Sequence, residues 1–426
     1  MNKPIYEIPV IRPGEKIGDL MPNFPPSAPI DEALTEVQRA NLNHADSELI
    51  AALQEVVLQG ASDLHITVNA PPMIRIDGSL RPAGSNMPWP RGKVIAALMS
   101  ILSEPQQEIF ERELELDFGY TISANTRFRV NIYQQRGSMG GAFRIIPAEL
   151  KQLKELGVPE SVGNFAQMTR GLVLVTGTTG SGKSTTLAAL IDLVNSTRAD
   201  HIVTVEDPIE FLHKHKKSIV NQREVGADTH SFAAALKHVL RQDPDVILIG
   251  ELRDLETISV ALTAAETGHL VFATLHTQDA PQTSDRIIDV FPPHQQGQVR
   301  TQLAATLQGV ICQTLVKRAT GRGRALATEI LVTTPAIANL IREGKTYQIA
   351  SMMQAGRAQG MHTMDQHLAE LVNTGTITYE AALEQAHDMD GISRIMQRVE
   401  SPTAAVIRTT SIGDIDFGDS FSGVIL

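Results

Sequence analysis

Hydrophobic positions divide the chain into two stretches with different patterns. From Asp46 to Gln59, Leu49, Ile50, Leu53, Val56 and Val57 recur at helical spacing, which predicts a helix with one apolar face. Leu64, Ile66 and Val68 then alternate with His65 and Thr67, and Met73–Ile76 predicts a second short strand before Asp77–Gly78. A helical stretch over Lys93–Arg112 follows, then strands at Leu116–Ile122, Thr126–Gln135 and Gly140–Ile145. One helix, several strands and another helix make a small α+β domain over 45–150, about one hundred residues. Segment 151–169, punctuated by Pro159, reads as a linker with short helices.

From Arg170 strands and helices alternate. Strand 172–176, helix 183–196, strand 201–205, helix 231–241, strand 246–249, helix 255–266 and strand 270–274 predict a parallel sheet covered by helices. From Gln295 to Asp388 the pattern reads as helical, so the expected α/β domain spans 170–390 with a helical C-terminal extension. Residues 1–44 are rich in proline and are expected to be extended or disordered, with a short helix at Asp31–Asn41. Residues 391–426 form a polar, glycine-containing tail expected to be poorly ordered.

Composition narrows the function. A chain of 426 residues is expected to hold two or three domains, and its formal net charge of -11 argues against a general nucleic-acid surface. The basic cluster Lys214, Lys216 and Lys217 is short and reads as a solvated turn. Cys312 is the only cysteine, which excludes a disulfide framework and a four-cysteine zinc site. No signal-peptide pattern is read at the N-terminus, and no apolar stretch approaches the ~18 residues of a membrane span. The expectation is a cytoplasmic protein able to dock on a membrane protein.

The candidate chemistry begins where Leu172–Thr176 ends in a loop with three glycines. Gly177, Gly180, Gly182, Lys183 and Ser184 fit G-x-x-x-x-G-K-[ST] at every position. Such a loop, Gly177, Thr178, Thr179, Gly180, Ser181 and Gly182, turns successive backbone N–H groups inward as an anion nest. The helix that starts there, with Thr185 in its first turn, adds its positive end to the same point. Lys183 then reaches the outer phosphates and Ser184 offers its hydroxyl to Mg²⁺. This is the pattern of a nucleotide triphosphatase that uses Mg²⁺.

Three further segments carry acids, histidines and arginines. The strand 246–249 is followed by Gly250, where ordinary nucleotide triphosphatases place a Mg²⁺-holding aspartate, and then by Glu251. A carboxylate there is placed to orient or deprotonate the attacking water. Glu206, Asp207 and Glu210 follow the strand 201–205, but Mg²⁺ takes only one or two protein carboxylates. Glu206 and Glu210, with Glu251, are therefore assigned contacts through water, and Asp207 a turn cap. His269 and His276 flank the strand 270–274, either as two structural histidines or with His276 sensing the γ-phosphate and His269 beside the nucleotide. Arg127, Arg129, Arg136 and Arg144 lie on two adjacent strands and read either as a solvated face or as groups reaching a phosphate in a neighbouring subunit.

GTTGSGKSTTL, VTVEDPIEF, NQREVG, LRQDPDVILIGELRDLETI and TAAETGHLVFATLHT follow one another as in the secretion and type IV pilus ATPases, whose Walker A, Asp box, Walker B and His box they resemble. The resemblance runs over about 46–388 and is greatest to the pilus retraction branch, the PilT type. SDLHITVNAPPMIRIDG resembles the opening of that branch's PAS-like domain, and PAIANLIREGK (335–345) resembles its AIRNLI signature. The four-cysteine zinc insert of assembly and type II secretion ATPases is absent. Ala338 stands where the signature has Arg, and Ala273 where the retraction branch usually has Gly.

The resemblance implies a PAS-like N-terminal domain followed by a RecA-like ATPase domain, assembled as a homo-hexamer. Its ATP sites would lie at domain and subunit interfaces, completed by arginines that map onto Arg129 and Arg144, with Arg170 a weaker match. It also implies a motor at the inner membrane that turns a platform protein and so withdraws pilin, alone or with an accessory retraction ATPase. ATPases of pilus assembly, type II or IV secretion and conjugative transfer share these motifs and stay open, as does a nucleotide-switched ring without sustained turnover. No nucleic-acid partner is expected.

Overall fold

The computed structural model describes residues 44–396, apart from 77, 124–125 and 147–149. The proline-rich leader with its expected helix at 31–41, and the tail beyond 396, lie outside the described residues. Two compact units meet in sequence at Ile145–Ile146.

In the first unit, β1 (Asp63–Ile66), β2 (Met73–Ile76), β3 (Ser79–Pro82), β4 (Glu115–Ser123), β5 (Thr126–Gln135) and β6 (Ser138–Ile146) form one sheet in the order β3-β2-β1-β6-β5-β4. The helix Ser47–Leu58 starts where Asp46 Oδ1 accepts the N–H groups of Glu48 and Leu49, each at 3.1 Å. Its Leu49, Leu53 and Val56 pack with Leu64, Ile66, Phe128, Val130, Ile132 and Phe143. The expected helix over 93–112 is two helices, Arg91–Met99 and Glu104–Glu113. Ser103 restarts the helix through a capping box with Gln106.

The second unit contains β7 (Gly171–Thr176), β8 (His201–Glu206), β9 (Ile219–Glu224), β10 (Val246–Ile249), β11 (Leu270–Leu275), β12 (Leu307–Lys317) and β13 (Arg324–Val332). Their order is β13-β12-β7-β11-β10-β8-β9, and only the β12–β13 pair is antiparallel. Every residue of β7, β10 and β11 is buried, which is why these strands read as unbroken apolar runs. The helices Lys183–Thr197, Phe232–Val239 and Leu255–Glu266 provide the long connections that parallel neighbours need.

Two expectations are corrected here. The stretch from 295 to 388 is not helical throughout, since β12 and β13 occupy 307–317 and 324–332. Both strands carry long buried runs, 309–313 in β12 and 325–331 in β13, so no regular polar alternation distinguishes them from a buried helix. Segment 151–169 does more than link, because Val158, Val162, Phe165 and Ala166 are buried against β7 and the helix Lys183–Thr197. Phe165 lies so close to Gly309 of β12 that a Cβ there would stand 2.3 Å from its ring.

Phe165→Ala is therefore expected to cost this unit about 3–5 kcal/mol, as for other fully buried aromatics. Urea unfolding measures it, and a loss under about 1 kcal/mol would mean that the segment is only a tether.

Candidate active site

Parallel strands bring their carboxyl ends together, and the phosphate loop leaves the end of β7. Gly177, Gly180 and Gly182 have φ of 137°, 80° and 90°, in the region that favours glycine. At Gly177 a Cβ would also lie 2.2 Å from the backbone oxygen of Gln313 in β12. The Gln313 side chain donates from Nε2 to the Ser181 carbonyl at 2.8 Å, so β12 supports the loop at two points. Gly182, itself left-handed, caps the helix Lys183–Thr197 without a side-chain acceptor, leaving that terminus to the ligand. Ser184 and Thr185 are half-buried in its first turn.

Lys183 is 9% exposed, and its ammonium donates to the carbonyls of Gly177 at 2.9 Å and Thr178 at 3.1 Å. Burial lowers its pKa, against the opposing fields of Glu251 and Glu210. A nucleotide phosphate is the acceptor that would draw the ammonium away from those carbonyls.

β10 lies between β8 and β11, and Gly250 follows it. A Cβ at Gly250 would come within 3.3 Å of Glu206 Cα and the Val205 oxygen, which disfavours a side chain there. The carboxylate sits one residue on, at Glu251. Glu251 Oε2 pairs with Arg253 Nη2 at 2.7 Å and Oε1 with His276 Nε2 at 3.2 Å. Burial acts to raise its pKa, but Arg253 and then His276 outweigh it, so the carboxyl is held below its usual range. Thr274 donates to the Gly250 carbonyl, and Leu252 N–H to the Thr274 carbonyl at 3.0 Å, which ties the Glu251 segment to the strand that carries His276.

The acids after β8 separate. Glu206 Oε1 accepts from the Thr204 hydroxyl at 2.6 Å and from Gln222 Nε2 at 3.1 Å, and Oε2 accepts from the Glu210 N–H at 3.4 Å. Burial raises its pKa. Glu206 is thus occupied within the protein, whereas Glu210 is half-buried and acts electrostatically on Lys183. Asp207 acts on Arg253.

His269 does not join this group. It precedes β11 at the amino end of the sheet, where its Nδ1 lies 3.0 Å from the Ala264 carbonyl and 3.2 Å from the Thr267 hydroxyl, at the C-terminus of the helix Leu255–Glu266. β11 runs parallel to β7, so its two flanking histidines face opposite rims, and only His276 stands with the phosphate loop.

In the first unit Arg129 is exposed on β5, opposite the buried Phe128 and Val130. The Arg144 side chain is 73% exposed on β6 while its Nε holds Asp63 Oδ1 at 2.8 Å. Arg253 and Gln313 were missed in the sequence. Arg253 was visible beside Glu251 in GELRD, but Gln313 gave no local signal, being 132 residues from the loop it supports.

Among the described residues no group of three or more His, Cys, Asp or Glu could hold a metal ion. Ser184 with one carboxylate suits an ion that arrives with nucleotide phosphates, which needs only one or two protein oxygens.

The glycine loop on a parallel sheet, a lysine in its nest and an ionised carboxylate at the end of β10, two strands from β7, define a P-loop nucleotide triphosphatase. The model of the type II/IV secretion system protein family matches residues 43–407, and the chain belongs to that family. It is 52% identical over 329 residues to the type IV pilus retraction ATPase PilT of Pseudomonas aeruginosa, covering 77% of this chain and 95% of that protein. It is 49% identical over 323 residues to the twitching motility protein of Neisseria gonorrhoeae, covering 76% and 86%. The solved structure of the pilus retraction motor PilT with bound ADP matches with a TM-score of 0.75 at 48% identity, over 80% of this chain and 98% of that one. The Legionella pneumophila ATPase DotB matches with a TM-score of 0.70 at 28% identity, over 78% and 93%. The chain is an ATPase, and the retraction branch read from its motifs is the kinship that these matches show.

Gly177→Ala is expected to abolish ATP binding, because the added methyl meets the Gln313 backbone and the loop must shift; calorimetric titration with ATP, with the unfolding midpoint measured alongside, checks it. Arg253→Ala removes a group that holds the Glu251 pKa down. The Glu251 carboxyl then protonates at higher pH, so, if it is the base, the acid limb of the kcat–pH profile should move to higher pH. An unmoved limb would exclude Arg253 from tuning Glu251.

Proposed function

We propose that the chain is the subunit of a hexameric, ATP-driven motor that retracts type IV pili, working in the cytoplasm against a platform protein of the inner membrane. The observation that carries this reading is the ionised Glu251, held by Arg253 and His276 beside the phosphate loop, in a chain that covers nearly the whole of a pilus retraction ATPase. In this reading the ring turns the platform protein, and pilin leaves the fibre as a consequence.

The chemistry is a hydrolysis. A water oxygen bonds to the γ-phosphorus, its proton passes to Glu251, and the bond to the bridging oxygen breaks to release ADP. Lys183 leaves the carbonyls of Gly177 and Thr178 for the outer phosphates, and the loop amides of 177–182 neutralise their charge. Mg²⁺ arriving with ATP would supply Lewis-acid neutralisation; Ser184 would hold it directly, and Glu251 and Glu210 would hold it through water. His276, bonded to Glu251, reports the γ-phosphate. Arg129, exposed on β5, and Arg144, largely exposed while its Nε holds Asp63, are suited to a neighbouring subunit's nucleotide. Loss of the phosphate then releases that grip, which converts hydrolysis into rigid-body movement.

Cells carrying only Glu251→Ala or Lys183→Ala protein should bear abundant pili that never retract and should lose twitching motility. Cells without pili would instead indicate an assembly motor. Arg129→Ala and Arg144→Ala should each slow phosphate release by about tenfold or more, as for arginines that complete such sites. Unchanged turnover in both would remove the arginines from the mechanism.

A further inference from the structure

Glu329 lies in the middle of β13 at 4% exposure, an unusual place for a carboxylate unless it has donors on both oxygens. Oε1 accepts the backbone N–H of Ala280 at 2.7 Å, and Oε2 the N–H of Met364 at 3.2 Å. These amides open the helices Ala280–Asp289 and Met364–Asn373, so one carboxylate receives the positive ends of two helices. Across the β12–β13 ladder its direct partner is Cys312, whose thiol donates to the Gln278 carbonyl. Together they grip 278 and 280, immediately after His276. The Thr277 and Thr283 hydroxyls, 2.6 Å apart, close the same turn.

We propose that Glu329 is a positioning residue for the Glu251–His276 pair, fixing the segment 277–280 so that the imidazole is held at the carboxylate. The idea rests on the hydrolytic reading of Glu251 and His276. The same carboxylate anchors Met364–Asn373, so any displacement of His276 on phosphate loss reaches the C-terminal helices through one buried group. Glu329→Gln keeps the volume but cannot accept two backbone donors with both terminal atoms, and it frees one buried amide.

The test is a double-mutant cycle on the full chain, with ATP turnover, KM for ATP, nucleotide binding and unfolding midpoint measured for Glu329→Gln, His276→Ala and the double variant. Glu329→Gln should lower kcat by about tenfold with KM within about twofold, and it should add nothing in the His276→Ala background. Independent, multiplying losses would overturn the proposal, as would unchanged turnover in Glu329→Gln. Unchanged turnover in His276→Ala would overturn the role of His276 as well, so the two failures are distinguishable.

Discussion

The contact between the phosphate loop and β12 constrains the rest of the second unit. Gly177 can hold its φ of 137° against the Gln313 carbonyl only because it lacks a side chain. Gln313 then reaches across to the Ser181 carbonyl. The loop is thus shaped by the strand beside it before any ligand arrives, and its amides and helix terminus are already directed at one point. Lys183 waits on the loop's own carbonyls. Such preorganisation is what makes an anion site effective, since little reorganisation remains at the moment of binding.

Electrostatics divide the acids around that point. Burial raises the Glu206 pKa, while Glu251, also partly buried, is kept low by Arg253 and His276. Carboxylates pushed in opposite directions suit different roles, and the one held low is the one proposed as the base. Glu251 lies one residue beyond the usual strand-end aspartate, and a side chain at Gly250 would sit tight against Glu206 and Val205.

Much of this was legible because the chemistry is written in short contiguous segments. The loop 177–184, Glu251 and the strand-end acids each follow a strand whose apolar run is self-evident. What escaped notice depends on distant partners or on strand direction. β12 and β13 are enclosed by helices and lack polar alternation, so 307–332 reads like buried helix. Gln313 acts on a loop far away in sequence. His269 and His276 look equivalent in the chain, and only the parallel run of β11 beside β7 sends them to opposite rims. Glu329 sits in an apolar run with nothing nearby to show that two helices converge on it.

The most direct test of the account compares ATP binding with phosphate release in purified Glu251→Gln protein. The account predicts ATP affinity within a few fold of the parent and phosphate release slowed by about 10² or more, the scale of a lost general base. Turnover surviving in that variant would contradict Glu251 as the base and return attention to the acids that follow β8.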